Sequence, residues 1–295
     1  MIWSWSRPRD LHRIGGYLVV KETILAVLSD MHTGSSVALF PRKGFVNSEG
    51  NLVSPNDKQR AIYPIWVRFT AEVAKDRRDK RLIVVMLGDA VDGFHHGSLQ
   101  ESLFKATDQC EAHLELMTEF LKKVNFHKGD ELYYVRGTEA HVGETENDMA
   151  KELRAIPNEY GRYVHETLTL NVNGRRIAFY HHGKARGLGD NEGNSLRNYL
   201  KNVRSERRKA GVERLDAMYS GHAHGHAFET HRERQPDGNY HSFHGVICPS
   251  WQAKTVYALG KVPMLVNSVG GTRMIIDAAG RMQDPYFTVL TTRDG

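Results

Sequence analysis

Aspartate and histidine residues recur in this sequence in short clusters, most of which directly follow apolar stretches. In chain order they are Asp30, His32, Asp89, Asp92, His141, His182, His222 and His224. Mixed imidazole and carboxylate ligands suit first-row divalent cations better than Ca²⁺ or Mg²⁺, which prefer shells made of oxygen alone. One such histidine is usually a hydrogen-bonded core or surface residue, but four clusters after predicted strands indicate a shared metal site.

The apolar stretches are typical of strands that are buried on both faces. Residues 82–87 form a run of apolar residues that stops at a glycine, and a similar run covers 24–28. Ligands in open α/β sheets bind at the carboxyl ends of strands, so the carboxylates after these two runs should meet at one edge. For Asp89 and Asp92 taken alone, the alternative is an Asp-rich turn at a strand end.

Other patterns predict the elements around these strands. A helix should begin near Tyr63, with Pro64 in its first turn, and face the sheet with apolar residues at helical spacing. A second helix should carry an apolar stripe from Cys110 to Val124, and a further helix is predicted at 194–209. Residues 33–60 are predicted to form a long loop insertion, and loops of that length are more often functional or mobile than idle.

Composition is that of an ordinary globular protein, with 295 residues, 40% of them hydrophobic and 25% charged. No apolar run approaches the roughly 18 residues that would indicate a membrane span, so no membrane partner is expected. Cys110 and Cys248 match no zinc or redox spacing, and a cytoplasmic location is therefore expected. We expect an N-terminal arm at 1–16 and a single domain at 17–295, and the sequence does not indicate the oligomeric state.

The net charge of +5 is compatible with a phosphorylated or nucleic-acid partner. The helix predicted at 194–209 has a basic face that is a candidate binding surface for phosphates of DNA or RNA, formed by Arg197, Lys201 and Arg204. The alternative is an ordinary solvated face of an amphipathic helix.

In order and spacing, these clusters resemble the calcineurin-like metallophosphoesterase superfamily. That family's motifs Asp-x-His, Gly-Asp-x-x-Asp, His-Gly and Gly-His-x-His have counterparts here at 30–32, 88–92, 182–183 and 221–224. The resemblance implies an α/β fold, namely a two-sheet sandwich flanked by helices in an α/β/β/α arrangement. It also places the metal site at the carboxyl-terminal ends of the strands.

The resemblance further implies two divalent metal ions, with Asp89 as the bridge between them. One ion would be held by Asp30, His32 and His224, and the second by His182 and His222. Manganese is the expected metal, with iron, zinc and nickel as alternatives.

The sequence departs from the family pattern at 137–141, where the family usually has Gly-Asn-His. Thr138 stands at the position of the metal-binding Asn, and Glu139 stands at the position of the catalytic His. A hydroxyl is a weaker neutral ligand than an amide oxygen, so this departure affects both a ligand and the general acid.

Two interpretations of the departure follow. Either His141 acts as the general acid, oriented by Asp92, or Glu139 enters the metal shell and the acid is His95 or His96. We favour His141 with Asp92, because an imidazole paired with a carboxylate is a sound proton donor.

Together these features predict an enzyme, a dinuclear metal-dependent phosphoester hydrolase that acts through a metal-bound hydroxide. Positive charge favours a phosphodiester substrate, either nucleic acid or a nucleotide-like diester, over a phosphomonoester. The first alternative is a phosphomonoesterase that resembles a protein phosphatase. The second is a non-catalytic, metal-containing nucleic-acid-binding protein, which the departure at Thr138 and Glu139 would favour.

Overall fold

The computed structural model describes residues 11–14, 17–93, 100–139, 144–183, 193–255 and 267–292. Within these ranges the helices are α1 (Asp57–Arg77), α2 (Ala106–Lys123), α3 (Thr145–Glu152) and α4 (Asn194–Lys209). The strands are β1 (Leu11–Ile14), β2 (Tyr17–Val20), β3 (Thr23–Leu28), β4 (Phe45–Val46), β5 (Leu52–Val53), β6 (Arg81–Leu87), β7 (Glu131–Val135), β8 (Val164–His165), β9 (Leu168–Val172), β10 (Arg175–His182), β11 (Ala217–Gly221), β12 (Ala227–Arg234), β13 (Tyr240–Ile247), β14 (Asn267–Ile276) and β15 (Tyr286–Thr292).

Most of the strands belong to two mixed sheets. The first has the order β15-β14-β3-β6-β7-β8, and its last four strands are parallel. The second has the order β12-β13-β11-β10-β9, with β10, β11 and β13 parallel. The two predicted buried strands are direct neighbours, β3 and β6, paired from Ile24 opposite Leu82 to Leu28 opposite Met86.

The two sheets pack face to face, and alternate residues of each central strand face opposite layers. In β3, Leu25 and Val27 belong to the cluster between the sheets, together with Phe179 and Tyr219 of the second sheet. Ile24 of the same strand instead packs in the layer formed with α1 and α2.

Helix α4 covers the outer face of the second sheet, where Leu196 and Leu200 pack against Met218 and Phe243. The layers are therefore helices, sheet, sheet and helix. The predicted α/β/β/α sandwich is confirmed.

Helix α1 begins at Asp57 rather than near Tyr63. The Asn56 side chain accepts a hydrogen bond from the Gln59 amide at 3.0 Å, and the Gln59 side chain accepts one from the Asn56 amide at 2.9 Å. This reciprocal capping satisfies two amides at the helix start. Pro64 consequently lies inside the helix, and the predicted placement in the first turn was wrong.

The loop predicted at 33–60 ends earlier for the same reason and contains the short β4–β5 pair. Of the predicted N-terminal arm, residues 1–10, 15 and 16 lie outside the described residues, and β1 pairs with β2. The division into an arm and a single domain stays a prediction. Across the described ranges, no helix is both long and apolar enough to cross a membrane.

Candidate metal centre

The loops that follow β3 and β6 run side by side beyond the end of the sheet. The Asp30 amide donates to the Gly88 carbonyl at 3.0 Å, and the His32 amide donates to the Asp89 carbonyl at 2.9 Å. This continued pairing fixes both aspartates at the carboxyl edge of two neighbouring parallel strands, which is the edge where such sheets bind ligands.

Backbone strain is concentrated at the same edge. Nine described residues other than glycine have positive φ angles. Five of them belong to the predicted site, namely Asp30, His32, Asp89, His222 and His224. Such conformations cost free energy for residues with a Cβ, and they persist where the surrounding structure holds functional side chains in place.

Two glycines of the predicted motifs lie where neighbouring residues approach the backbone too closely for a Cβ atom. A Cβ on Gly88, whose φ is +79°, would lie 2.5 Å from Nδ1 of His181. A Cβ on Gly137 would lie 2.2 Å from the Asp89 amide nitrogen. Neither clash could be relieved by rotating a flexible side-chain end, so both positions need glycine for the loops to meet.

The Asp30 carboxylate is buried and is contacted from three directions. The His222 amide donates to Oδ1 at 3.1 Å and to Oδ2 at 3.0 Å, and the Ser29 hydroxyl also donates to Oδ2. Nε2 of His224 lies 3.3 Å from Oδ1. These contacts orient both carboxylate oxygens while leaving them in the centre of the site.

The Asp89 carboxylate is held by the residue at the altered motif. The Thr138 amide donates to Oδ1 of Asp89 at 2.6 Å, and the Thr138 hydroxyl lies 3.3 Å from Oδ2. The same hydroxyl is 3.4 Å from Nε2 of His181. Thr138 thus lies beside two candidate ligands, whereas the Glu139 side chain is exposed and joins no metal-binding cluster of the described residues.

Two buried histidines have Nδ1 engaged and Nε2 directed to the site. Nδ1 of His32 is 3.0 Å from Oδ1 of Asp92, and Nε2 is 3.7 Å from Oδ2 of Asp89. Nδ1 of His181 is 2.9 Å from the Leu87 carbonyl oxygen, and Nε2 is 3.0 Å from the same Oδ2 of Asp89. A carboxylate or carbonyl acceptor on one ring nitrogen is the usual way in which proteins orient a metal-binding imidazole.

His181 is the site residue that the sequence reasoning missed. It is buried, whereas the predicted ligand His182 is exposed, although His182 and His222 rings approach to 4.7 Å between centroids. The alternation of side chains along β10 could have identified His181. Ile177 and Phe179 point between the sheets, and His181 lies on the same face of the strand.

The described residues form three overlapping groups whose ligand atoms lie within 4.8 Å of one another. They are Asp30 with His32 and His224, then Asp30 with Asp89, His181 and His222, and finally His181 with His182 and His222. Asp30 is shared between the first two groups, and Asp89 also approaches His32 of the first. The donor set, oriented imidazoles with buried carboxylates, fits one or two first-row divalent cations.

Electrostatic interactions at the site oppose the effect of burial. Burial would raise the pKa of Asp30, but the nearby His181 and His224 outweigh it and hold that pKa below its usual range. Burial would lower the pKa of His181, but Asp30 and Asp89 raise it to about 10. Nearby positive charge therefore stabilises the buried carboxylates. A bound cation would supply that charge in place of protons on the imidazoles.

Asp92 and Glu146 support the site from behind. The Asp92 carboxylate accepts from His32 and, at 3.0 Å, from the Gln252 amide group. Glu146, on α3, is buried and accepts from the Ala90 amide at 3.1 Å and the Gly137 amide at 2.9 Å. It therefore links the loop that carries Asp89 to the loop that carries Thr138, and burial raises its pKa to about 7.

Several residues predicted to act in catalysis or substrate binding are not among the described residues at the metal centre. His141, the favoured general acid, and the alternatives His95 and His96 lie outside the described residues. Arg197 forms a two-pronged ion pair with Glu229.

The other two residues of the predicted basic face differ from each other. Arg204 pairs with Glu233 and contacts His241 at 2.8 Å, while Lys201 is exposed. Two of the three predicted phosphate contacts therefore already bind groups of this chain. Their role in substrate binding stays a prediction.

No protein-family model matches the sequence, and no curated protein matches it. Similar solved structures include a Streptococcus pneumoniae protein described as a predicted phosphoesterase, at 10% identity and a TM-score of 0.30 over 92% of this chain and 98% of that chain. A metallophosphoesterase from Sphaerobacter thermophilus has 10% identity and a TM-score of 0.35 over 91% of this chain and 88% of that chain.

A sulfate thiohydrolase from Thermus thermophilus has 11% identity and a TM-score of 0.37 over 95% of this chain and 58% of its own. The resemblance to the calcineurin-like metallophosphoesterase superfamily rests on the sequence motifs of this chain itself.

Proposed function

We propose that this protein is a dinuclear metal-dependent phosphoester hydrolase whose substrate is a phosphodiester. One observation supports this most directly: Asp30, Asp89, His32 and His181 meet at one sheet edge with both imidazoles already oriented by acceptors on Nδ1. Bound cations would act as Lewis acids, lower the pKa of a water and neutralise charge on the phosphoryl oxygens.

The side chains of the chain have separate roles in this proposal. Asp30 and Asp89 supply the shared anionic oxygens, fixed by the His222 and Thr138 amides respectively. His32 and His181 present Nε2 as neutral ligands. His141, close in sequence to Thr138, is assigned the transfer of a proton to the leaving alkoxide.

The preference for a diester rests on the net charge of +5 and the exposed Lys201 on α4. An extended polyanionic substrate gains from such charge over its whole length, whereas a small monoester does not. Nucleic acid and nucleotide-like diesters are the substrate class that we propose. A phosphomonoester is the competing substrate class for the same centre.

The test compares bis(4-nitrophenyl) phosphate with 4-nitrophenyl phosphate, using chelator-treated protein resupplied with Mn²⁺. We expect a higher kcat/KM for the diester, and loss of both activities in Asp89→Asn. The matched control is Asp216→Asn. This buried aspartate accepts a hydrogen bond from the Arg176 amide just before β11, at the end of that strand away from the metal centre. A faster monoester reaction would refute the diester assignment, and equal activity in Asp89→Asn would refute the metal centre.

A further inference from the structure

A second concave site lies at the opposite end of α4 from the metal centre. It is a cavity of about 720 Å³ between the last turns of α4 and the β12–β13 hairpin. Five arginines and one glutamate supply the charged part of its lining, namely Arg204, Arg207, Arg208, Arg214, Arg234 and Glu233. We call this cavity the arginine pocket.

The charges in the arginine pocket do not balance. Glu233 is the single carboxylate among its lining residues, and it is shared by Arg204 and by Arg208, the latter at 3.2 Å. Arg207 donates to the Glu213 carbonyl oxygen at 2.9 Å, and Arg214 donates to the Gln235 side-chain oxygen at 2.8 Å. Both of these acceptors are neutral. The Asp237 carboxylate outside the lining also interacts with Arg214, so the five arginines of the lining outnumber the carboxylates Glu233 and Asp237.

The simplest explanation for basic residues here is compensation of the helix dipole at the end of α4. That explanation covers Arg207 and Arg208, which lie in the last turn of the helix. It does not cover Arg214, which lies in the following loop, or Arg234, which ends β12. The arginines come from three segments, namely α4, the loop after it and β12. Compensation of the helix dipole would account only for those on α4.

The shape and floor of the pocket limit what it could bind. Its volume falls in the range of roughly 300–1,000 Å³ that is typical of small-molecule and cofactor sites. Phe243 and Leu215 contribute an apolar floor below the arginines. Guanidinium groups bind phosphate oxygens in pairs, and an apolar floor suits a flat ring system, so the combination suits a nucleoside phosphate.

The arginine pocket is separate from the metal centre. Strand β11 (Ala217–Gly221) lies between Leu215, beside the pocket, and His222, in the metal centre. Seven residues at about 3.3 Å each place the two sites roughly 20 Å apart. A single nucleotide cannot therefore reach both sites.

We propose that the arginine pocket binds the phosphate groups of a nucleoside phosphate, through Arg207, Arg214 and Arg234. The phosphate-bearing ligand is either a free nucleotide or the terminal nucleotide of a strand. This binding does not depend on the hydrolase activity. It requires no metal ion, because the cations that face the phosphate are guanidinium groups.

The experiment is calorimetric titration of the full chain with ATP, in EDTA and at low salt. The test variant is Arg214→Ala with Arg234→Ala, since both side chains are exposed and their removal spares the α4–Glu233 ion pairs. The control is Arg281→Ala, an exposed arginine paired with Asp277 elsewhere. We expect the double variant to lose at least tenfold in affinity, and the control and Asp89→Asn to bind like the unmodified chain.

A second titration uses a 5′-phosphorylated oligothymidylate. Tighter binding of the oligonucleotide than of ATP, lost in the double variant, would identify a strand end as the source of the phosphate. Stronger binding of ATP would identify a free nucleotide. No binding of either probe, or undiminished binding by the double variant, would overturn the proposal, and loss of binding in Asp89→Asn would assign the signal to the metal centre instead.

Discussion

Asp30 and Asp89 are the two residues on which the candidate centre depends most. Both follow buried parallel strands, both adopt positive φ angles, and both carboxylates are held by backbone amides from other loops. Their order and spacing are visible in the sequence, because an Asp directly after an apolar run is a local pattern. Their contacts with His222 and Thr138 are not local, and only the fold brings them together.

The choice between His181 and His182 gives the first prediction. His181 belongs to two of the candidate groups and is oriented by the Leu87 carbonyl, whereas His182 belongs to one and is exposed. We expect His181→Asn to weaken Mn²⁺ binding by roughly tenfold to a hundredfold or more, and His182→Asn to weaken it less. Mn²⁺ titration followed by electron paramagnetic resonance measures both, and the reverse order would show that His182 is the principal ligand.

Glu146 gives the second prediction, as a positioning residue. Glu146→Gln turns one of two acceptor oxygens into an amide donor facing a backbone amide, which should cost about 1–3 kcal/mol of unfolding free energy. Because the two amides belong to the loops of Asp89 and Thr138, we also expect Mn²⁺ affinity to fall.

The matched control for Glu146 is Glu131→Gln, a buried glutamate at the start of β7 that bonds Arg81 and Tyr133. That change should reduce stability and leave Mn²⁺ affinity unaltered. Denaturant unfolding and metal titration of both variants separate the two effects. Unchanged metal affinity in a destabilised Glu146→Gln would restrict Glu146 to a purely structural role.

At the scale of elements, the sequence predicts best those features that depend on residues close together in the chain. The helix at 194–209 was predicted with correct bounds, since its periodicity is local. The predicted start of α1 was too late, because the capping pair of Asn56 and Gln59 starts the helix at Asp57, ahead of Pro64. The antiparallel pairing of β14 with β3 has no local signal, because it joins distant segments.

Helix α2 carries a buried histidine that links stability to pH. Nε2 of His113 is 2.9 Å from the Tyr134 hydroxyl, and burial lowers its pKa to about 3. Unfolded histidine has a pKa near 6.5, so below that value the unfolded chain binds a proton that the folded chain does not. This contribution is complete above pH 6.5 and is lost as pH falls.

The third prediction follows from the lowered pKa of His113, which makes the folded state less stable as pH falls. His113 should make the free energy of unfolding fall by about 1.4 kcal/mol per pH unit between roughly pH 6 and pH 4. Urea unfolding at several pH values, for the unmodified chain and His113→Gln, measures the difference in slope. Equal slopes in the two proteins would mean that His113 is protonated in the folded state.

At the scale of the whole molecule, the sandwich separates two charged sites. The carboxyl edge of the parallel strands gathers carboxylates and imidazoles, and the far end of the second sheet gathers arginines. The sandwich itself could be predicted from the ordered motifs together with the buried strands. The arginine pocket could not, because its residues come from three segments that share no spacing in the sequence.

The central claim is that this edge holds two divalent cations, and counting them is the most direct test. Chelator-treated protein is dialysed against Mn²⁺, and bound metal per chain is measured by mass spectrometry for the unmodified chain, Asp89→Asn and Asp216→Asn. We predict two ions in the unmodified chain and in Asp216→Asn, and fewer than two in Asp89→Asn. No bound metal in the unmodified chain, or two ions retained in Asp89→Asn, would contradict the proposed centre.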